Sequence, residues 1–181
     1  MKRLAALALS VLAAPGLLLA QEKSSSSPVS DALRQSLARF SKNMTAAAES
    51  MPGDKYEYKP TPQQMSYAHL IAHIATSNEF MCSKISGTPA PEHGKISDTD
   101  GKDKLVAAVR ASFDYCSSSL AKVDDSNLGE ELTLFGNRQF TKAAAMMILS
   151  GDWFDHYSAQ AMYLRLNGVL PPTAQPRKQM D

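Results

Sequence analysis

Apolar residues recur at intervals of three and four along most of the chain, and this spacing is typical of amphipathic α-helices. The first such stretch is residues 29–52, with Ser30 as its predicted N-cap and Pro52 at its end. Its apolar row consists of Leu33, Leu37, Phe40 and Met44. The pattern therefore predicts one helix that buries a single face.

Three more segments have the same periodicity. Their predicted ranges are 61–87, 102–123 and 141–167. Thr61 and Thr141 are the expected N-caps, and the second and fourth segments end at glycines. The connection 124–140 reads as irregular, with only a brief extended piece at 132–135. Four amphipathic helices without a convincing strand pair predict an all-α fold, a four-helix bundle.

The first twenty residues have a different pattern. Lys2 and Arg3 precede an apolar run that Pro15 interrupts and that ends in the small residue Ala20. This layout is typical of a secretory signal peptide, so we expect cleavage after Ala20 and a periplasmic or secreted protein. An uncleaved membrane anchor is the alternative, but the run is short and broken by proline.

The segments on either side of the bundle follow from composition. Residues 21–28 are polar and serine-rich and are expected to form a disordered linker. The predicted bundle covers residues 29–175, and 176–181 is expected to be a flexible tail. A chain of 181 residues with 44% apolar content is consistent with one such domain.

Net charge narrows the range of partners. Cleavage would remove two of the 19 basic residues and no acidic one, leaving 17 against 18, a net charge of −1. No basic stripe interleaved with aromatic residues is present, so the sequence does not indicate nucleic-acid binding. Nor does it predict stable membrane association once the signal peptide is removed.

The two cysteines of an exported protein meet an oxidising compartment. Cys82 lies near the end of the second predicted helix and Cys116 in the second half of the third. A disulfide between them requires these helices to run parallel, and the long connection 88–101 would provide the return path. The alternative is two buried free thiols that pack as small apolar groups.

The histidines are the main candidates for metal ligands. His69 and His73 share one helix face at a spacing of four, as do Asp152 and His156 on the last helix, whereas His93 lies in a polar loop. Facing pairs on two helices can build an internal metal site, and three ligands would leave a position open for water. Hydrogen-bonded core or surface residues are the alternative interpretation. His73 is the better candidate on its helix because it belongs to the apolar row.

Two segments resemble a known family. Residues 60–87, which contain "YAHLIAHIA", and residues 134–172, which contain "LFG" and "HYSAQAMYLRLNGVLPP", are similar to the DinB-like superfamily, also called the DinB/YfiT-like metalloenzymes. The resemblance extends from about residue 30 to 172. It implies an up-down-down-up bundle with parallel second and third helices, and three histidines that bind zinc, nickel or manganese.

Carried over by position, this resemblance assigns metal ligands to His73, Asp152 and His156. Asp152 departs from the family pattern, which has histidine there. Two histidines and one carboxylate suit zinc, manganese or ferrous iron, and make nickel less favourable. His69 and Gln160 are expected to hydrogen-bond to the ligands from outside.

The resemblance implies a metal-dependent hydrolase or a transferase acting on a small molecule of unknown identity. Export argues against thiol transfer, because low-molecular-weight thiols are mainly cytoplasmic. No catalytic general base can be identified, since helical spacing places Glu79 on a different face of its helix from His73, and Asp155 on a different face from His156. The alternative is a non-catalytic bundle that binds a small ligand or a protein partner, or that forms a homodimer through the apolar residues 143–149.

Overall fold

The computed structural model describes residues 26–92 and 94–176. The predicted signal peptide, residues 21–25 of the predicted linker, His93, and residues 177–181 of the predicted tail lie outside the described residues. The first helix begins at Pro28, which had been assigned to the linker.

Four α-helices and one β-hairpin form the described part of the chain. The helices are α1 (Pro28–Ser50), α2 (Tyr67–Ser86), α3 (Lys102–Leu120) and α4 (Lys142–Leu166). The strands are β1 (Glu131–Leu134) and β2 (Arg138–Thr141), and short 3₁₀ turns cover Gly53–Lys55, Asp125–Asn127 and Pro172–Ala174. Within the described residues, no helix is both long and apolar enough to span a membrane.

Contacts between the helices give their directions. Asn78 bonds to Ser112 and Cys82 to Cys116, so α2 and α3 run parallel. Phe40 packs on Phe154, and four residues further along α1 the Met44 carbonyl accepts from Gln160, so α1 and α4 are also parallel. Ser77 bonds to Asp152 while His73, one turn earlier, lies beside His156, so α2 and α4 are antiparallel. This is the predicted up-down-down-up order, and the all-α bundle is confirmed.

The disulfide prediction is confirmed as well. Cys82 and Cys116 are bonded, with their Cα atoms 5.4 Å apart, and both are completely buried. One turn away, buried Asn78 accepts a hydrogen bond from Trp153 Nε1 (2.8 Å) and donates one to Ser112 Oγ (3.0 Å). This polar link joins α2, α3 and α4, and it fixes their register because each buried polar group needs its partner.

The start of α2 differs from the prediction. The helix begins at Tyr67 and not near Thr61, and Ser66 Oγ accepts the cap bond from the backbone N–H of His69. The carbonyls of Tyr56 and Tyr58 accept from the first N–H groups of the helix, so the preceding loop satisfies donors that a helix leaves free. The predicted end at Gly87 and the predicted cap at Thr141 are confirmed.

The predicted cap of α1 is wrong. Ser30 lies inside the helix and is buried. The carboxylate of Asp125 accepts from the backbone N–H groups of Val29 and Ser30, both at 2.9 Å, and from the Ser30 hydroxyl. An acid distant in sequence therefore caps α1, and sequence-local capping signals could not reveal it.

The structure also contains a strand pair, so the prediction that there is none is wrong. β1 and β2 pair antiparallel, from Glu131 opposite Thr141 to Leu134 opposite Arg138. Phe135, Gly136 and Asn137 form the turn with positive φ angles, and Leu134 is buried beneath it. The strands are four residues long, too short for periodicity to identify, and the hairpin leads directly into α4.

Candidate metal centre

The three predicted ligands lie together between α2 and α4. The ring centroids of His73 and His156 are 5.0 Å apart, and Asp152 Oδ2 lies 3.4 Å from His156 Nδ1. All three residues line one cleft of about 500 Å³. The antiparallel packing of α2 and α4 brings the three residues together, because the polar turn of each helix lies at the same level along the bundle axis.

A hydrogen bond sets the orientation of His156. Its Nδ1 lies 2.7 Å from the Asp152 carbonyl oxygen, which can only accept, so Nδ1 carries the proton. In the neutral imidazole with this tautomer, Nε2 is the nitrogen that has the free lone pair. Histidine ligands of metals commonly have this arrangement, in which the other ring nitrogen donates to a backbone carbonyl.

Asp152 is held by the opposite helix. Ser77 Oγ donates to Asp152 Oδ2 at 2.9 Å, and the carboxylate is partly exposed. Ser77 lies one turn beyond His73 on α2. One turn of α2 therefore supplies the candidate ligand His73, and the next turn supplies Ser77, which positions the Asp152 carboxylate of α4.

The surroundings of His73 favour its neutral form. Partial burial and then the nearby His156 lower the pKa of His73, and this outweighs the opposing effect of Asp152. A neutral imidazole is the form that binds a metal. His73 is solvent-exposed on one side, whereas His156 is buried.

The donor types fit a divalent metal, but the present side-chain positions do not form a coordination shell. In the part of the chain that the structure describes, no three His, Cys, Asp or Glu side chains converge closely enough to hold an ion. The His73 and His156 rings are tilted by 52° to each other, and Ser77 engages only Oδ2 of the Asp152 carboxylate. Ligation would require the two histidine rings to turn.

The two residues expected to support the ligands have other described partners. His69 Nδ1 lies 3.0 Å from Asp98 Oδ2, and this hydrogen bond lowers the pKa of Asp98. Gln160 is completely buried and donates from Nε2 to the Met44 carbonyl at 3.1 Å. Their supporting roles stay predictions.

Sequence reasoning missed several residues of the cleft. Asp155, expected on another helix face, lines the cleft with Asp152, and Met65 and Met162 form part of its apolar wall. The spacing of three between Asp152 and Asp155 was the available signal, since residues at that spacing are neighbours on a helix. Met65 precedes α2, and no helical periodicity could have placed it.

The comparison with known families identifies this chain. The profile of the DinB superfamily matches residues 36–158, which include α2, most of α1 and α4, and all three candidate ligands. The chain belongs to the DinB superfamily. No curated protein matches this superfamily member significantly.

Two solved structures share its fold. A DinB-like protein from Bacillus subtilis has 21% sequence identity and a TM-score of 0.64, covering 81% of this chain and 99% of its own. A DinB-like protein from Bacillus cereus has 15% identity and a TM-score of 0.65, covering 78% of this chain and 95% of its own. At these identities the likeness extends to the fold alone.

Proposed function

We propose that this DinB superfamily chain binds a divalent metal through His73, Asp152 and His156. The observation that supports the proposal best is the 5.0 Å approach of two imidazoles, one from each helix, beside a carboxylate on a shared cleft. The Nδ1 bond of His156 leaves Nε2 as its ligating nitrogen, and the neutral form favoured for His73 is the form that ligation needs.

The types of ligand atom limit which divalent metals this site would bind. Two imidazoles and one carboxylate suit zinc, manganese or ferrous iron, and a set of three leaves a position open for water or substrate. A bound metal would supply Lewis acidity and a lowered pKa of its water. The chain's own contribution is to orient His156 through its Nδ1–H and to hold Asp152 through Ser77.

The reaction class follows as part of the same proposal. Such a site supports a metal-dependent hydrolase or a transferase, and the proposed export favours hydrolysis because thiol cosubstrates are mainly cytoplasmic. A non-catalytic bundle that binds a small ligand or a partner is the second candidate. The lack of a converged group of three ligands among the described residues favours it.

Zinc affinity, measured by competition with a chromophoric chelator, tests the proposal. We expect one zinc ion per chain in the wild type and at least a tenfold to hundredfold loss of affinity in His73→Ala and Asp152→Ala. Asp103→Ala is the control, because it removes an exposed acid on α3 that does not line the cleft. Circular dichroism would show that each variant folds. Wild-type protein without zinc, or equal binding in all variants, would refute the metal proposal and leave the non-catalytic bundle.

A further inference from the structure

The cleft that contains the candidate ligands has two chemically different parts. His73, Asp152, His156 and Asp155 make one part polar. The other part is mainly apolar: its lining is Met65, Leu70, Ala159, Met162 and Tyr163, with the uncharged amides of Gln63 and Gln64 beside Met65. Along α4 the lining runs from Asp152 to Tyr163, about 16 Å at the rise of an α-helix. The cleft is therefore long enough for a molecule with a polar head and an apolar body.

Two methionines in the apolar part are unusually accessible. Met65 and Met162 are each 43% exposed, and both line this cleft. A methionine side chain is unbranched and polarizable, so it can adapt to apolar groups of different shapes. An apolar ligand body would cover both side chains and remove their surface from water.

The carboxylates in the cleft are not balanced by lysine or arginine side chains among the described lining residues. In the described part of the chain its lining contains the carboxylates of Asp152 and Asp155 and neither lysine nor arginine. Ser77 already holds Asp152. Asp155 is exposed and makes no ion pair within the described residues, so its carboxylate can meet a ligand. Without a bound metal, these two carboxylates repel anionic molecules from the cleft and attract cationic ones.

We propose that the cleft selects small cationic amphiphiles, with an ammonium group at Asp155 and an apolar body against Met65 and Met162. This inference rests on the proposed function in that it takes the same cleft as the binding site, and it adds the class of ligand. In the metal-free cleft, anionic thiols and phosphate esters are not the preferred ligands, because the described lining offers them neither lysine nor arginine.

A pair of probes with the same apolar body tests the selection. 4-Phenylbutylamine and 4-phenylbutyrate differ in charge at one end, and their affinities can be measured by NMR titration of the protein. Metal-free protein is the primary sample, because the carboxylate of 4-phenylbutyrate could bind directly to a zinc ion in the cleft. Zinc-loaded protein is measured for comparison. We expect the amine to bind about three- to tenfold more tightly than the acid, because an exposed carboxylate attracts one probe and repels the other.

Variants separate the two parts of the proposal. Asp155→Asn is expected to reduce the preference for the amine to the smaller part that Asp152 provides, whereas Asp103→Asn, which removes an exposed acid on α3, leaves the preference at the wild-type value. The double variant Met65→Ser, Met162→Ser is expected to lower the affinities of the two probes by about the same factor. Binding of neither probe, equal binding of both, or an undiminished preference in Asp155→Asn would overturn the inference.

The outcomes also distinguish this inference from the metal proposal. If zinc does not bind but the Asp155-dependent preference is found in metal-free protein, only the metal proposal is wrong. If zinc binds through the three candidate ligands but the amine is not preferred, only the selection of cations is wrong.

Discussion

At the scale of single residues, the hydroxyl of Ser77 determines where the Asp152 carboxylate lies. Its 2.9 Å bond joins α2 to α4 directly beside the two histidines. If Asp152 is a ligand, loss of this bond leaves the carboxylate less well oriented. We expect Ser77→Ala to weaken zinc binding about tenfold or more in the chelator competition assay.

Ser83→Ala is the matched control for this substitution. Ser83 lies on the same helix, and its hydroxyl donates to the Phe80 carbonyl at an exposed position. It should leave zinc affinity unchanged. Equal affinity of the Ser77 and Ser83 variants would show that the Ser77 bond does not support the site.

Helical spacing could predict part of the site at this scale. It placed His73 on one helix face and Asp152 with His156 on another, and the structure brings the three into one cleft. It could not place Met65, which lies outside α2, or show that the cleft is wide enough to include Asp155. Those features depend on the distance between helices, which a pattern within one helix does not contain.

At the scale of elements, Asn78 joins three helices. Removing its side chain would leave the buried Trp153 Nε1–H without its acceptor and deprive the Ser112 hydroxyl of its donor. We expect Asn78→Ala to lower the free energy of unfolding by about 2–4 kcal/mol, the combined cost of an unsatisfied donor and a small cavity. Denaturant unfolding of the variant would measure this change.

Thr76→Ala serves as the comparison for Asn78. Thr76 is exposed on the same helix and bonds only to carbonyls of its own helix in the described structure. Its removal should change stability by less than about 0.5 kcal/mol. A loss of similar size in both variants would contradict the role assigned to Asn78.

The disulfide links the parallel helices α2 and α3. Cys82 and Cys116 are separated by 34 residues, and closing a loop of this length restricts the unfolded chain. The chain-entropy estimate gives about 3–4 kcal/mol of stabilisation. We expect the double variant Cys82→Ala, Cys116→Ala to lose about this amount in denaturant unfolding and to be insensitive to reductant. A double variant as stable as the oxidised wild type would contradict this expectation.

At the scale of the whole molecule, two buried tyrosines connect stability to alkaline pH. Tyr56 and Tyr67 donate to the carbonyls of Ala48 and Ala47, and burial, with smaller contributions from nearby ionisable groups, raises the pKa of both. Because their pKa values are higher in the folded state than in the unfolded state, the unfolded state loses these protons more readily. The stabilisation is present below pH 10 and declines above it, by at most about 1.4 kcal/mol per pH unit and tyrosine.

Alkaline titration, followed by phenolate absorbance and helical circular dichroism, measures this effect. We expect the phenolate signal of Tyr56 and Tyr67, obtained by difference from Tyr56→Phe and Tyr67→Phe variants, to rise only when helix content is lost. Ionisation of either tyrosine in protein with full helix content would contradict the burial argument.

The whole-molecule topology was largely predictable, and the hairpin was not. The resemblance implied parallel second and third helices, and a Cys82–Cys116 bridge required the same arrangement. The hairpin depends on burial of Leu134 beneath its turn, a tertiary contact with little sequence signal. The cap that Asp125 provides for α1 is likewise tertiary, since 96 residues separate Asp125 from Val29.

The central claim is that His73, Asp152 and His156 hold a divalent metal, and anomalous diffraction from crystals grown with zinc tests it most directly. The account predicts one strong zinc peak in the cleft, about 2.0–2.2 Å from a nitrogen of each histidine and an oxygen of Asp152. A structure grown with zinc that has no peak in this cleft, or has zinc only on other residues, would contradict it.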